Sequence, residues 1–331
     1  MPSIIDAENL TKVYNGSVKA VNNISFSVNE GELFGFLGPN GAGKTTTIKM
    51  LTTLATITQG KATIAGHDVT KNPDAVRKSI GFVQQDLTVD DELTGMENIM
   101  LAASLYQVPR AEAKKRAEEL LGLVELKDAA NRLVRTYSGG MRKRLQLIVG
   151  LIHQPRLLFL DEPTLGLDIQ TRTVMWNHIK NLNREQKMTI FMTTHYLEEA
   201  DSLCDRIAII DHGKIEVSGS PQELKDKMGA EVLELDIADG GNLLGFFNSL
   251  PGVKDVKQKD STYRIKLPGA ESALPGIFEE VSRRGLKIGR ISFDKPSLDQ
   301  VFLEVTGRSM RDAETGSEDS MKARFTGMRS H

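Results

Sequence analysis

Hydrophobic and polar residues follow two alternating patterns through the first two-thirds of the chain. Short apolar runs, rich in β-branched and aromatic residues, alternate with stretches whose apolar residues recur at helical spacing. Runs that are apolar throughout are typical of strands buried on both faces, and helical connections between them favour parallel pairing. The pattern therefore predicts an α/β core, whose strands we place at residues 33–37, 80–83, 157–160, 189–192 and 206–210.

Residues 87–150 interrupt the strand pattern. A helical segment follows Pro109, which we expect at the first helical position, and acidic and basic residues recur along it at helical spacing. We therefore predict a helical subdomain inserted beside the α/β core.

The pattern changes after residues 218–221, Ser-Gly-Ser-Pro. The order that follows is strand, helix, strand, strand, helix, strand, which is that of ferredoxin-like α+β domains. We assign residues 1–228 to a first domain, 229–306 to a second domain with an assembly or regulatory role, and 307–331 to a disordered tail. Apolar residues that alternate with polar ones mark the strands of the second domain: Leu233, Leu235, Ile237, Tyr263, Ile265, Leu267, Ile291 and Phe293.

Composition and charge narrow the class of protein. The 331 residues carry 42 Lys and Arg against 44 Asp and Glu, a net charge of −2 at pH 7. This balance argues against a protein that mainly coats nucleic acid, so no nucleic-acid partner is expected. The single cysteine, Cys204, excludes an internal disulfide and a cysteine-rich zinc site. Because neither a secretory signal nor a spanning apolar run is visible, we expect a soluble chain that acts at a membrane only through a partner.

A glycine-rich segment directly follows the first predicted buried strand. Residues 38–45, Gly-Pro-Asn-Gly-Ala-Gly-Lys-Thr, match the phosphate-loop pattern in the strand-to-helix context that this pattern needs. Glycines let the backbone curl round an oxyanion, while the lysine neutralises phosphates and the threonine hydroxyl binds Mg²⁺. The segment predicts a site for ATP and Mg²⁺ formed by Gly38, Pro39, Asn40, Gly41, Ala42, Gly43, Lys44, Thr45 and Thr46.

Two carboxylates, Asp161 and Glu162, end another predicted strand. The strand delivers Asp161 to the carboxyl edge of the sheet, within reach of Mg²⁺, and Glu162 can orient and deprotonate an attacking water. Taken alone, two acids after a strand are as well explained by a solvated strand end. Together with the phosphate loop they predict hydrolysis of ATP.

Residues 137–141, Tyr-Ser-Gly-Gly-Met, resemble the Leu-Ser-Gly-Gly-Gln signature of the ATPase subunits of ABC transporters. Residues 4 to about 228 carry the motifs of that family in the family's order. The resemblance implies an ABC cassette, in which a RecA-like phosphate-loop NTPase core carries a helical subdomain.

The resemblance assigns roles to further residues. It implies that Tyr14 stacks on adenine, that Gln85 is the lid glutamine near Mg²⁺ and the attacking water, and that His195 senses the γ-phosphate. Asp168 would belong to the loop that crosses a dimer interface. Gln84 is the alternative lid residue, although the spacing favours Gln85.

The signature also implies a dimer. In the family, the signature of one cassette closes over ATP held by the other, so Ser138, Gly139, Gly140 and Asp168 would act in trans. One cassette per chain then implies a homodimer with two composite sites. Tyr137 and Met141 depart from the common signature, but the hydroxyl and the glycine N–H groups that contact phosphate are retained.

Residues 296–308 resemble the closing segment of drug-resistance exporter ATPases of the daunorubicin/doxorubicin type. This implies a subunit at the cytoplasmic face of the cell membrane that powers export of a drug, lipid or polysaccharide through a separate polytopic permease. Two alternatives stay open. One is an importer ATPase whose second domain binds a regulatory ligand, against which the closing segment argues. The other is a non-transport ABC ATPase, against which the sequence argues because it has neither zinc cysteines nor a second cassette.

Overall fold

The computed structural model describes residues 2–227, 231–238, 243–267, 269–294, 296–310 and 312–313. The chain forms two compact units. The first comprises the residues up to Pro221 together with those after Gly307, and the second is Gln222–Gly307. The predicted domain boundary at residues 228–229 lies outside the described residues.

The first unit alternates strands and helices, as the apolar runs predict. Every residue of its strands at positions 33–37, 157–161 and 189–194 is buried, so these strands read as nearly continuous apolar runs. In chain order the elements are β1 (Ser3–Tyr14), β2 (Val18–Asn29), β3 (Leu33–Leu37), α1 (Lys44–Leu51), β4 (Gln59–Ile64), β5 (His67–Asp68), α2 (Pro73–Ser79), β6 (Ile80–Val83), α3 (Gly95–Leu105), α4 (Arg110–Leu123), α5 (Gly139–Val149), β7 (Leu157–Asp161), α6 (Ile169–Arg184), β8 (Thr189–Thr194), α7 (Leu197–Leu203), β9 (Arg206–Asp211) and β10 (Lys214–Gly219).

The central sheet has the strand order β10-β9-β3-β8-β7-β6. The strands from β9 to β6 run parallel, and β10 is antiparallel to β9. The carboxyl ends of parallel strands meet at one edge of a sheet. Leu37 pairs with Thr194, and Asp161 pairs with Thr193. The carboxyl ends of β3, β8 and β7 therefore lie side by side.

A second sheet, with the order β2-β1-β4-β5, is antiparallel throughout. One apolar core contains residues of both sheets. At its centre Phe36 lies 5.0 Å from Phe26 of β2 and 5.0 Å from Phe191 of β8, measured between ring centroids. This shared core holds β2 against the central sheet beside the phosphate loop.

The helical subdomain consists of α3, α4 and α5, with short 3-10 turns at Lys127–Ala129 and Val134–Thr136. Its own apolar core explains why the strand pattern stops in this part of the chain. Pro109 is the residue before α4 and not its first helical residue, so that prediction is wrong by one position. Its ψ of 135° is extended, and its carbonyl already accepts the bond from Ala113 N–H.

The second unit contains the predicted ferredoxin-like order. After α8 (Pro221–Lys227) the elements are β11 (Glu231–Ala238), α9 (Leu244–Ser249), β12 (Asp255–Lys259), β13 (Thr262–Leu267), α10 (Ala270–Arg283), β14 (Lys287–Asp294) and α11 (Leu298–Thr306). The sheet order is β12-β13-β11-β14, antiparallel at every pairing. The alternating residues Leu233, Leu235, Tyr263 and Ile265 form one buried face, as expected for a sheet covered on one side.

The structure describes the first residues of the segment assigned to the tail. Arg308 donates through Nη2 to both carboxylate oxygens of Asp211 at 2.9 Å, and Met310 and Ala313 are buried. Residues 314–331 lie outside the described residues. Among the helices that are described, none is long and apolar enough to cross a membrane.

Candidate functional site

The phosphate loop connects β3 to α1 and is built on glycines that have no room for a side chain. A Cβ added to Gly38 would lie 2.2 Å from the Ile210 carbonyl oxygen. Gly43 has a φ of +108°, and a Cβ there would lie 2.6 Å from the Ala20 carbonyl oxygen. The loop therefore passes close to β9 and to β2, and only glycine permits both approaches.

Lys44, the first residue of α1, is buried at 4% exposure. Its ammonium donates to the carbonyls of Gly38 at 2.6 Å and Pro39 at 3.2 Å, and it forms an ion pair with Glu162 Oε1 at 3.1 Å. A buried cation is stable only when its donors are satisfied. These three acceptors hold the charge of Lys44 inside the curl of the loop.

Asp161 ends β7 at the carboxyl edge of the sheet, as predicted. Its Oδ1 accepts hydrogen bonds from the hydroxyls of Thr45 at 3.2 Å and Thr193 at 2.6 Å. Burial raises the pKa of Asp161, although both hydroxyls counteract the shift. The structure thus brings together Thr45 and Asp161, two of the three ligands predicted for Mg²⁺, the third being Gln85.

Glu162 and His195 form the other half of the site. Glu162 has a left-handed backbone with φ 48°, which non-glycine residues seldom adopt, and its N–H donates to the Thr193 hydroxyl at 3.1 Å. Its Oε2 lies 3.0 Å from His195 Nδ1. Burial alone would raise the pKa of Glu162, but the His195 hydrogen bond and the Lys44 charge outweigh it and lower that pKa. Glu162 is therefore ionised at neutral pH.

Tyr14 and Gln85 lie at the surface. Tyr14 ends β1 with 38% of its surface exposed, and the Lys12 ammonium is 4.9 Å from its ring centroid. Gln85 follows β6 and is exposed, and its backbone carbonyl accepts from Lys143 Nζ. The side-chain hydrogen bonds that join Lys44, Thr45, Asp161, Glu162 and His195 do not extend to these two residues within the described part of the chain.

The signature begins α5. Ser138 is the N-cap, its Oγ accepts from Met141 N–H at 3.3 Å, and both Ser138 and Gly139 are exposed. The two departures from the common signature serve the helical core. The buried Tyr137 hydroxyl donates to the Ala129 carbonyl at 2.7 Å, and Met141 packs against the same apolar cluster.

Asp168 lies close in space to the signature of the same chain. It caps α6, and its carboxylate accepts from Thr171 N–H at 2.9 Å and the Thr171 hydroxyl at 2.7 Å. A Cβ on Gly140 would lie 2.3 Å from the Thr171 methyl carbon. The cap of α6 and the signature are therefore neighbours in the fold.

This geometry has a defined chemical use. The curled backbone and Lys44 suit a polyphosphate, and an ionised, buried glutamate beside them suits the activation of water. The first unit is thus a phosphate-loop nucleoside triphosphatase.

Comparison with known proteins gives the family. Residues 21–165 match the ABC transporter family, and residues 219–306 match the C-terminal domain of DrrA1-3-like ATP-binding proteins. The daunorubicin/doxorubicin resistance ATP-binding protein DrrA of Streptomyces peucetius is 41% identical, over 94% of this chain and 94% of that protein. The linearmycin resistance ATP-binding protein LnrL of Bacillus subtilis is 37% identical, over 93% of this chain and 100% of that protein. The chain belongs to the ABC transporter family, among its DrrA-like ATP-binding subunits.

Solved structures agree with this assignment. A dimeric ATP-binding cassette in a post-hydrolysis state with ADP and phosphate is 29% identical, with a TM-score of 0.59 over 65% of this chain and 98% of that one. The cbiO1 protein of Clostridium perfringens has the same fold. It is 24% identical, with a TM-score of 0.64 over 69% of this chain and 92% of that one. The predicted fold, ATPase activity and role in powering an ABC exporter are confirmed, and no comparison favours an importer or a non-transport ATPase.

Three residues in or next to the site were not predicted. Thr193 donates to Asp161 and accepts from Glu162 N–H, so it fixes both carboxylate residues. Lys143 and Gln146 of α5 are buried and donate to the backbone around Gln85. The only sequence signal for Thr193 is that it lies two residues before His195. The basic run around Lys143 resembles an ordinary solvated helix face.

Proposed function

We propose that this ATPase exports an amphipathic antibiotic or a related lipid-like compound through a separate polytopic permease, from the cytoplasmic face of the membrane. The relatives named above are resistance proteins for daunorubicin, doxorubicin and linearmycin, and they align with this chain over nearly their whole length. That shared length, together with the Lys44–Glu162–His195 arrangement, is the observation that carries the proposal.

We infer that ATP binds along Gly38–Thr46, with its adenine against Tyr14. Mg²⁺ would be held by Thr45, Asp161 and Gln85. Support comes from the donor set, because the hydroxyl of Thr45 and the carboxylate of Asp161 are 3.2 Å apart and are the hard oxygen ligands that Mg²⁺ prefers. When bound, Mg²⁺ supplies positive charge that neutralises the triphosphate.

Different residues of the chain would have different roles in the hydrolysis of ATP. Lys44 neutralises the β- and γ-phosphates, and Glu162 takes the proton from the attacking water. An ionised carboxylate can only accept hydrogen bonds, so the His195 ring has an N–H at Nδ1 that donates a hydrogen bond to Glu162 Oε2. His195 thereby orients the base.

We propose that two copies of the chain form a dimer with two composite sites. Ser138 and Gly139 are exposed at the N-terminus of α5, where free N–H groups favour an anion. Thr171, which donates to the Asp168 carboxylate, lies against Gly140, so the signature and the Asp168 loop would meet the partner together.

We propose an assembly role for the second unit. The closing helix α11 buries Leu298, Val301 and Phe302 but leaves Leu303 48% exposed. Leu303 is therefore the large apolar side chain that α11 presents at the surface. Replacing Leu303 by Glu should weaken association with the permease and leave ATP binding intact. Glu304→Lys, on the neighbouring exposed residue, is the matched control.

Efflux measurements test the proposal. Cells lacking the chain should accumulate daunorubicin, complementation with the wild-type chain should lower its level, and complementation with Lys44→Ala should not. Affinity purification from detergent-solubilised membranes should retrieve an integral membrane protein. Equal accumulation in all strains would refute the drug class, and recovery of ribosomal proteins instead of a membrane protein would refute the transport role.

A further inference from the structure

Two side chains of α5 hold the backbone that follows β6. Lys143 Nζ donates to the Gln85 carbonyl at 2.5 Å. Gln146 Nε2 donates to the carbonyls of Gln84 at 3.1 Å and Asp86 at 2.8 Å. Three consecutive carbonyls are therefore bound by one helix, and Lys143 and Gln146 lie on the same face because they are three residues apart.

Packing does not account for either residue. Lys143 is 6% exposed and Gln146 is 3% exposed, while Leu145 and Ile148 are among the residues that make the apolar contacts of α5. Burial lowers the pKa of Lys143, and the carboxylates of Asp86, Asp161 and Glu162 counteract the shift. Desolvating a charged and an amide side chain is unfavourable unless their hydrogen bonds are used. Here the donors of both side chains bind the backbone around Gln85, while the buried Gln146 Oε1 accepts no hydrogen bond from the described residues.

We propose that Lys143 and Gln146 are positioning residues that fix Gln85 at the nucleotide site. They bind the carbonyls of Gln84, Gln85 and Asp86, which fixes the backbone from which the Gln85 side chain extends. The inference rests on the proposed role of Gln85 as the lid glutamine. It also links the two nucleotide sites of the proposed dimer. Because α5 begins at Ser138, the helix that would complete the partner's site also holds Gln85 at the chain's own site.

Steady-state kinetics with Mg-ATP give the first test. Lys143→Met keeps the length and apolar stem of the side chain but removes its donor. We expect kcat to fall by about tenfold to a hundredfold, because small misplacements of catalytic groups have effects of that size. KM should change by less than about threefold, because the phosphate loop, not the lid, supplies most nucleotide contacts. Lys143→Arg, which retains a donor, should recover part of kcat, and Lys114→Met, on the exposed face of α4, should behave as wild type.

A double-mutant cycle decides whether Lys143 acts through Gln85. In a Gln85→Ala background, Lys143→Met should lower kcat by less than about twofold, because the group it positions is already absent. The same factor in both backgrounds, or an unchanged kcat in the single variant, would overturn the inference.

Two further outcomes are informative. If Lys143→Met does not fold, as judged by thermal melting, Gln146→Met gives the same cycle without the loss of a buried charge. If Gln85→Ala itself leaves kcat unchanged while the wild-type chain hydrolyses ATP, the role of Gln85 is wrong and the inference falls with it. The proposed export function would stand in that case, so the two failures are distinguishable.

Discussion

Glu162→Gln is the most informative single change in the site. Glu162 is 6% exposed and contacts Lys44 through Oε1 at 3.1 Å and His195 through Oε2 at 3.0 Å. Glutamine has nearly the same shape and can still accept from Lys44 through its amide oxygen. The substitution therefore removes the negative charge and the base but little of the packing.

The expected loss is large for chemistry and small for stability. Removing a general base lowers hydrolysis by about 10²–10⁴-fold, or about 2.7–5.5 kcal/mol of transition-state stabilisation. An unpaired buried charge costs about 3–5 kcal/mol of folding free energy. Lys44 keeps its bonds to the Gly38 and Pro39 carbonyls, so the decrease in stability should be below that range.

Phosphate release in single-turnover reactions measures the loss of hydrolysis, and size-exclusion chromatography in ATP and Mg²⁺ measures dimer formation. The variant should bind ATP and accumulate as a dimer, because dimer separation follows hydrolysis. Glu199→Gln is the matched control, since Glu199 is also buried but contacts Thr164 and Trp176, not Lys44. Turnover by Glu162→Gln within about tenfold of wild type would refute its role as base. Equal losses in both variants would show a general effect of altering a buried glutamate.

Three further predictions concern the site and its surroundings. Lys44→Ala should abolish hydrolysis and strongly weaken binding of a fluorescent ATP analogue, and wild-type turnover would contradict the site. Ser138→Arg should block dimer formation on size exclusion while ATP binding by the monomer persists; a normal dimer would contradict the composite-site proposal. Burial raises the pKa of Glu199 above its ordinary value of 4.5, so above that pH the folded chain retains a proton that the unfolded chain has lost. Wild-type stability should therefore fall relative to Glu199→Gln as the pH rises from about 4.5, and a Tm difference independent of pH would contradict this cause.

The sequence predicts those parts of the fold whose signals are local. Strands buried on both faces read as apolar runs, and the glycines at 38 and 43 mark a loop with no room for side chains. The alternation of Leu233 and Leu235 with polar residues similarly marks a sheet with one buried face. These features need no knowledge of distant partners.

Contacts that depend on strand order could not be predicted. β8 lies between β3 and β7 although it follows both in the chain, and only this order places Thr193 beside Asp161 and Glu162. The contacts of Lys143 could not be predicted for a different reason. Helical periodicity gives the face on which a long basic side chain lies but not whether its end group finds a buried acceptor.

The chain leaves the first unit at Pro221 and returns to it at Arg308, so in topological terms the second unit is an insertion and not an appendage. The guanidinium of Arg308 binds Asp211, whose carboxylate is nearly buried at the end of β9. A chain cut short after α8 would lose this guanidinium as well as the second unit, and the Asp211 carboxylate would keep the hydrogen bond from the His212 N–H but lose both bonds from Arg308. An internal excision that spares the residues after Gly307 would keep the pair. Terminal truncation and internal excision are therefore different experiments on this protein.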